Sequence, residues 1–268
     1  MRIYATLVYI FLYLPIGIIA LFSFSAGRSA SQMQGFSLQW YGKALSNPFV
    51  VDALQTSASV AFVSAVLASV FGTMAALALT GMTGRIRVLF DAMVYVAIMI
   101  PGIVIGIATL IALVTLFDTV NPWLESLTGY RLSMGFASLT AAHVLFTMSL
   151  VIVIVRARIE ALDRTLIEAS GDLGAGPLAT FWQVTLPLLA PAILAGFLLS
   201  FTFSFDDFII AFFVAGSETT LPIYIFSSIR RGVTPEINAI GTMVMGASLL
   251  LLVMAQVLLR RSTKAERT

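Results

Sequence analysis

Two adjacent acids, Asp206 and Asp207, stand inside the aromatic run Phe201, Phe203, Phe205 and Phe208, within an otherwise apolar segment from Leu188 to about Val214. Carboxylates supply charge to a cation that leaves water, and aromatic rings supply a face for it. No Lys or Arg lies in the neighbouring turns, and Arg230 and Arg231 are separated from the pair by a further loop. A carboxylate at membrane depth costs a few kcal/mol on insertion scales, so a pair of them calls for a partner, either fixed or transported. The competing reading is structural, a pair that caps or bridges the end of a bent helix. Acid–base catalysis is a third, but successive helical residues point about 100° apart, so the two could serve one reacting atom only if the helix breaks there. Cysteine is absent, which excludes disulfides and thiolate metal sites, and the lone His143 argues against a histidine metal site or triad. His143 reads most simply as a helix residue near a polar contact, with an intramembrane functional role as the alternative.

A second polar stretch, Glu168 to Pro187, is the longest interruption of the apolar sequence. Its punctuation predicts two short helices: one ending near Asp172 before Gly174 and Gly176, and one starting at Pro177. The second carries Leu178, Phe181, Trp182 and Thr185 at i, i+3, i+4 and i+7. That spacing makes an amphipathic surface helix able to offer its other face to a partner.

The elements that must position these groups cross a membrane. Of 268 residues, 59% are hydrophobic and 10% charged, and the mean hydropathy is +1.01. A soluble domain cannot hide that much apolar surface. The expected spans are Leu7 to Phe24, Val60 to Leu79, Met93 to Phe117 kinked at Pro101-Gly102, Phe136 to Val155, the segment from Leu188 to Val214, and Ile240 to Leu259. The first run exceeds a signal peptide's apolar core and reads as a retained anchor. Phe36, Trp40 and Tyr41, in the polar segment after it, suit a half-wet interface. Arg2, Arg85, Arg87, Arg156, Arg158, Arg164, Arg260, Arg261, Lys264 and Arg267 fall on one side, ten against the five of Arg28, Lys43, Arg131, Arg230 and Arg231. The positive-inside rule then puts both termini and the Glu168 loop in the cytoplasm. The expectation is an all-α polytopic membrane protein with six transmembrane helices and a single domain over 1–268. A net charge of +2 gives no reason to expect nucleic acid as a partner.

The spacing of Glu168, Ala169, Ser170, Gly174, Val184, Leu186 and Pro187 resembles the signature loop of permease subunits of binding-protein-dependent ABC importers. Ser170 stands where the family has Ala and Val184 where it has Ile. The resemblance implies a type I importer permease, with 58–259 as its core unit and 156–187 as a cytoplasmic coupling loop that docks on an ATPase. It also implies two ATPase subunits, a second permease, a periplasmic substrate-binding protein and a bacterial inner membrane. The chain lacks a G-x-x-x-x-G-K-[ST] loop, since neither Lys43 nor Lys264 follows the required glycines, so ATP and Mg belong to the partner ATPase and no cofactor is expected here. FSFDDFIIAFFVAG, followed by TTLPIYIFSSIRRGVTPEINAIGT, is similar to the matching segment of spermidine and putrescine permeases. This implies a polyamine substrate, with Asp206, Asp207, Phe205 and Phe208 on its path. The same resemblance extends to permeases for opines, amino acid-like and other small solutes. A secondary transporter would use buried carboxylates too, but it needs no loop of this spacing.

Overall fold

A computed structural model describes residues 2–28, 32–163 and 165–265, with side chains described for 3–28, 32–163 and 165–250. Helices dominate, and among the described residues the only β pairing is an isolated bridge between Ser25 and Phe36. Among the described residues, five helices are long and apolar enough to cross a membrane: Ile3–Ser23, Pro48–Gly81, Gly102–Thr128, Phe136–Glu160 and Pro177–Asp206. The chain divides into two compact units, Met1–Gln55 with Thr219–Val257, and Thr56–Glu218 with Leu258–Thr268.

In the first unit, α1 (Arg2–Ser23) leaves its side chains exposed over nearly its whole apolar length. The chain then turns back on itself. The indole of Trp40, at the start of α2 (Gln39–Ser46), donates to the Ser25 carbonyl at 2.8 Å, and the Tyr41 and Ser23 hydroxyls lie 2.6 Å apart. Trp40 is therefore a buried core residue, whereas Phe36 is exposed and Tyr41 half-buried, so of the three aromatics only Trp40 departs from the half-wet environment the sequence suggested. The Asn47 amide donates to the Tyr224 hydroxyl of α11 (Leu221–Arg231) and to Glu236 in the first turn of α12 (Pro235–Ala265). The expected span from Ile240 to Leu259 lies within α12, and its side chains beyond 250 are outside the described residues, as are those of Arg260, Arg261 and Lys264 and all of Arg164 and Arg267.

The second unit is built on close helix approaches. α3 (Pro48–Gly81) enters it at residue 56 and packs on α6 (Phe136–Glu160), where a Cβ on Gly72 would lie 2.8 Å from the Val151 side chain. α9 (Leu186–Asp206) reaches the same valine at Gly196, and Ala68, Ala76, Leu79, Val151, Ile152, Val155 and Leu189 form the buried core. Small residues suit membrane helices because packing, rather than the hydrophobic effect, must hold them together. At one end of α6, Arg156 pairs with Asp91 of α4 (Gly84–Met99) and with Glu160, while Arg87 lies 3.8 Å from both acids.

Two expectations are corrected. The span from Met93 to Phe117 is two helices: α4 ends at Met99, and α5 (Gly102–Thr128) starts after an extended Ile100-Pro101 pair. Pro101 has no N–H for the ladder and forces its predecessor out of the helical region, so the chain breaks where a kink was expected. α5 also continues past Phe117, where the span was expected to end, as far as Thr128, where Gly129 (φ 71°) ends it. The Asn121 side chain then exchanges two hydrogen bonds with the Leu132 backbone, which ties the returning chain to the helix.

Candidate translocation cleft and coupling loop

The fifth apolar segment breaks at its two acids. α9 ends at Asp206, Asp207 is extended (φ −71°, ψ 121°), and a short helix α10 (Ile209–Val214) follows. The break gives the two carboxylates different neighbours. Asp207 Oδ2 accepts the Ala211 N–H at 2.9 Å and lies 3.5 Å from His143 Nε2 of α6, so it ties the first turn of α10 to the core. Asp206 has no hydrogen-bond or ion-pair partner among the described residues and is exposed. Both acids line an open cleft of about 650 Å³ whose wall is otherwise mostly apolar, including Ile98, Phe146, Phe203 and Phe208.

The aromatic run therefore splits between two faces. Phe208 reaches the cleft, and Phe203 joins it with its ring edge-on to Phe146 at 6.0 Å. Phe205 is not among the cleft residues. It stacks on Phe201 at 6.0 Å, and Phe201 stacks in turn on Phe197, in a packing ladder along α9. Alternation at period two, read on a 3.6-residue helix, sends neighbouring aromatics to different sides. The floor beneath the break is tight: a Cβ on Gly106 of α5 would meet the Phe213 ring at 2.7 Å and the Ile210 Cα at 3.3 Å. His143, which the sequence offered only as a residue near some polar contact, is 2% exposed and is the α6 anchor of the arrangement. Its separation in sequence from residues 204 and 207 hides it from any local pattern.

The loop Glu168 to Pro187 folds largely as its punctuation predicts. Asp163 accepts the Thr165 N–H at 3.0 Å ahead of α7 (Thr165–Asp172), and this bond holds its carboxyl below the ordinary range. Glu168 sits in the first turn, where a negative charge suits the helix dipole. At the other end Ala175 N–H bonds the Ser170 carbonyl and Gly174 N–H the Gly171 carbonyl, with Gly174 at φ 81°. This is the paired-bond helix stop that favours glycine. The Ser170 hydroxyl lies 2.9 Å from that of Thr180 in α8 (Pro177–Thr180), which joins the two short helices.

The second piece is not a separate surface helix, as expected, but the start of a span. A π turn (Phe181–Thr185) carries α8 directly into α9. Pro187 has no N–H to continue the regular ladder, and Leu186 N–H reaches back five residues to the Phe181 carbonyl. Val184 and Leu186 are half-buried and Pro187 exposed in this continuous stretch, while Glu168 and Ala169 stand exposed on α7. Leu173, Leu178 and Trp182 remain largely exposed, an apolar set on the loop's outer side.

Broken apolar helices around a small-residue core, with a loop of this spacing leading into the last break, define a membrane transport subunit, and the comparisons agree. Residues 68–266 match the family described as "Binding-protein-dependent transport system inner membrane component", and the chain belongs to it. It is 38% identical over 240 residues to the Escherichia coli K12 "Putrescine transport system permease protein PotI", covering 88% of this chain and 82% of that one. It is 36% identical over 256 residues to the Haemophilus influenzae "Spermidine/putrescine transport system permease protein PotC", covering 95% and 94%. Among solved structures, a bacterial ABC transporter that imports the acidic polysaccharide alginate superposes with a TM-score of 0.74 at 15% identity, over 97% of this chain and 94% of that one. The MetNI methionine ABC transporter gives 0.59 at 16%, over 79% and 94%. An importer of an acidic polymer shares the fold, so the fold leaves the charge of the cargo open and the site residues must decide it.

Proposed function

We propose that the chain forms half of the membrane pathway of an ATP-driven importer for a small organic cation, a polyamine such as putrescine or spermidine. The observation that carries this is the unpaired Asp206 carboxylate in an aromatic cleft, in a chain 36–38% identical to putrescine and spermidine/putrescine permeases. A linear diamine offers ammonium groups to a carboxylate and ring faces, and methylenes to the Ile98 and Phe146 wall. Asp207, Phe208 and Phe203 complete this lining, and Phe205 supports it from behind.

On this reading the chain is one permease domain of six spans with 58–259 as its core, in a bacterial inner membrane with both ends in the cytoplasm. A second permease completes the pathway and a periplasmic binding protein delivers the solute. Two ATPase subunits bind ATP and Mg and dock on 156–187, where Leu173, Leu178 and Trp182 offer apolar contacts. Uptake of labelled putrescine and spermidine by cells carrying the full transporter is the test. Uptake should depend on this subunit and be competed by diamines but not by uncharged or acidic solutes. Indifference to diamines would overturn the cation reading.

A further inference from the structure

We propose that His143 is a positioning residue for the cleft: through Ser204 and Asp207 it holds open the break between α9 and α10, and so aims the Asp206 carboxylate at the solute. The imidazole comes from α6, and both of its nitrogens face the end of the fifth segment. Nδ1 lies 2.6 Å from the Ser204 hydroxyl in the last turn of α9, and Nε2 lies 3.5 Å from Asp207 Oδ2 just past it. A carboxylate only accepts, so the arrangement calls for a proton on Nε2 and a Ser204 hydroxyl that donates to Nδ1. The ring is 2% exposed and Ser204 5%, so neither group can turn to water.

The Nε2 contact is longer than a hydrogen bond, and Nε2 is a buried polar atom without another partner. Its single favourable neighbour is the Asp207 carboxylate. That carboxylate is already drawn inward by the Ala211 N–H, so the imidazole and the first turn of α10 hold Asp207 from two directions. Asp206 precedes it by one residue and is the last residue of α9. Were Asp207 free to rejoin the helix, α9 would run on past residue 206 and the break that opens its carboxylate to the cleft would close.

The inference rests on the cleft being the cation path, and its test separates the two. The chain has no cysteine, so Asp206→Cys gives this subunit a single thiol whose reaction rate with a small cationic thiol reagent reads its exposure to the cleft. The measurement is made on the full complex in membranes. We expect His143→Ala to slow labelling several-fold. His143→Gln, whose amide nitrogen can occupy the Nε2 position, should keep the rate near the parent's, and Ser204→Ala should fall between. With Asp206 in place, uptake per assembled complex should fall in the same order. Equal labelling rates for the His143→Ala and His143→Gln backgrounds overturn the proposal. If His143→Ala does not assemble, His143→Asn, which can reach Ser204 but not Asp207, replaces it, and equal rates for Asn and Gln overturn it equally. Labelling that follows the expected order while diamine uptake is unchanged leaves the positioning intact and removes the cation-path reading.

Discussion

The hydroxyl of Ser170 meets that of Thr180 across 2.9 Å, joining two short helices at the position where the family's loop carries alanine. A departure from the family pattern has thus gained a contact. Thr180 is 9% exposed, so removing only its partner leaves a nearly buried hydroxyl unsatisfied, while removing both leaves an apolar contact. Ser170→Ala should loosen the loop by about 1 kcal/mol, and Ser170→Ala with Thr180→Val by less than the sum of the single changes. Amide hydrogen exchange over 168–182 measures it, and strictly additive effects would show that the bridge contributes nothing.

Gly174 separates a backbone effect from a docking effect. Its φ of 81° penalises any side chain, but no atom of this chain lies within 4 Å of where a Cβ would stand. Gly174→Asn should be mild and Gly174→Ala should cost about 1 kcal/mol, because asparagine tolerates the left-handed region better. At its Cβ, Gly174→Trp meets no more of this chain than Gly174→Ala does. Any additional loss of ATP-coupled uptake with Trp, in a complex that still assembles, therefore reports a partner surface pressed against the loop. Equal uptake for Ala and Trp would argue that the turn faces nothing.

Gly216 has no such freedom. At φ 59°, a Cβ there would lie 2.5 Å from the Met134 carbonyl oxygen, which is backbone and cannot move aside cheaply. Gly216→Ala should lower stability by about 2 kcal/mol or more. A thermal unfolding scan of the solubilised complex checks this, with Gly241→Ala, where nothing lies within 4 Å, as the reference.

Asp206→Asn and Asp207→Asn should fail in different ways. Asp206 holds no other group in place, so its amide variant should assemble normally and lose most uptake. Asp207 caps the start of α10 and faces His143, so its variant should lose stability together with uptake. Uptake per assembled complex, set against the thermal midpoint, distinguishes them. Parental transport in both variants would return the pair to a structural role.

Topology is open to a direct check. Tags at both ends should be reached only from the cytoplasm, and one between Gln32 and Gln39 only from the periplasm. A carboxyl terminus reached from outside would sink the six-span reading.

Much of this was legible in the sequence because hydropathy and helix punctuation are local. Pro101 announces a discontinuity and Gly174 a stop, and both occur where expected. Hydropathy marks where the bilayer ends rather than where a helix ends, which is why α5 runs on past Phe117 through Asp118 and Glu125. The division of labour between Asp206 and Asp207 was not legible, because it is made by His143, contributed by a different helix. Nor does a spacing of two among Phe201, Phe203 and Phe205 say which side of α9 meets the cleft.

The unbroken run from Pro177 to Asp206 comprises 30 residues, which as helix is a stiff beam of about 45 Å. One end is rooted among the loop residues and the other stops at the open carboxylate. A tilt of roughly 10° about its midpoint would carry each end about 4 Å in opposite senses. Torque applied at the foot would thus arrive at Asp206 through a continuous helix, interrupted only by the π turn and by Pro191, which lacks a ladder N–H. That turn is where the beam could absorb a twist, and inserting or deleting one residue there would rotate all of α9 by about 100°, its core contacts at Leu189 and Gly196 together with the carboxylate.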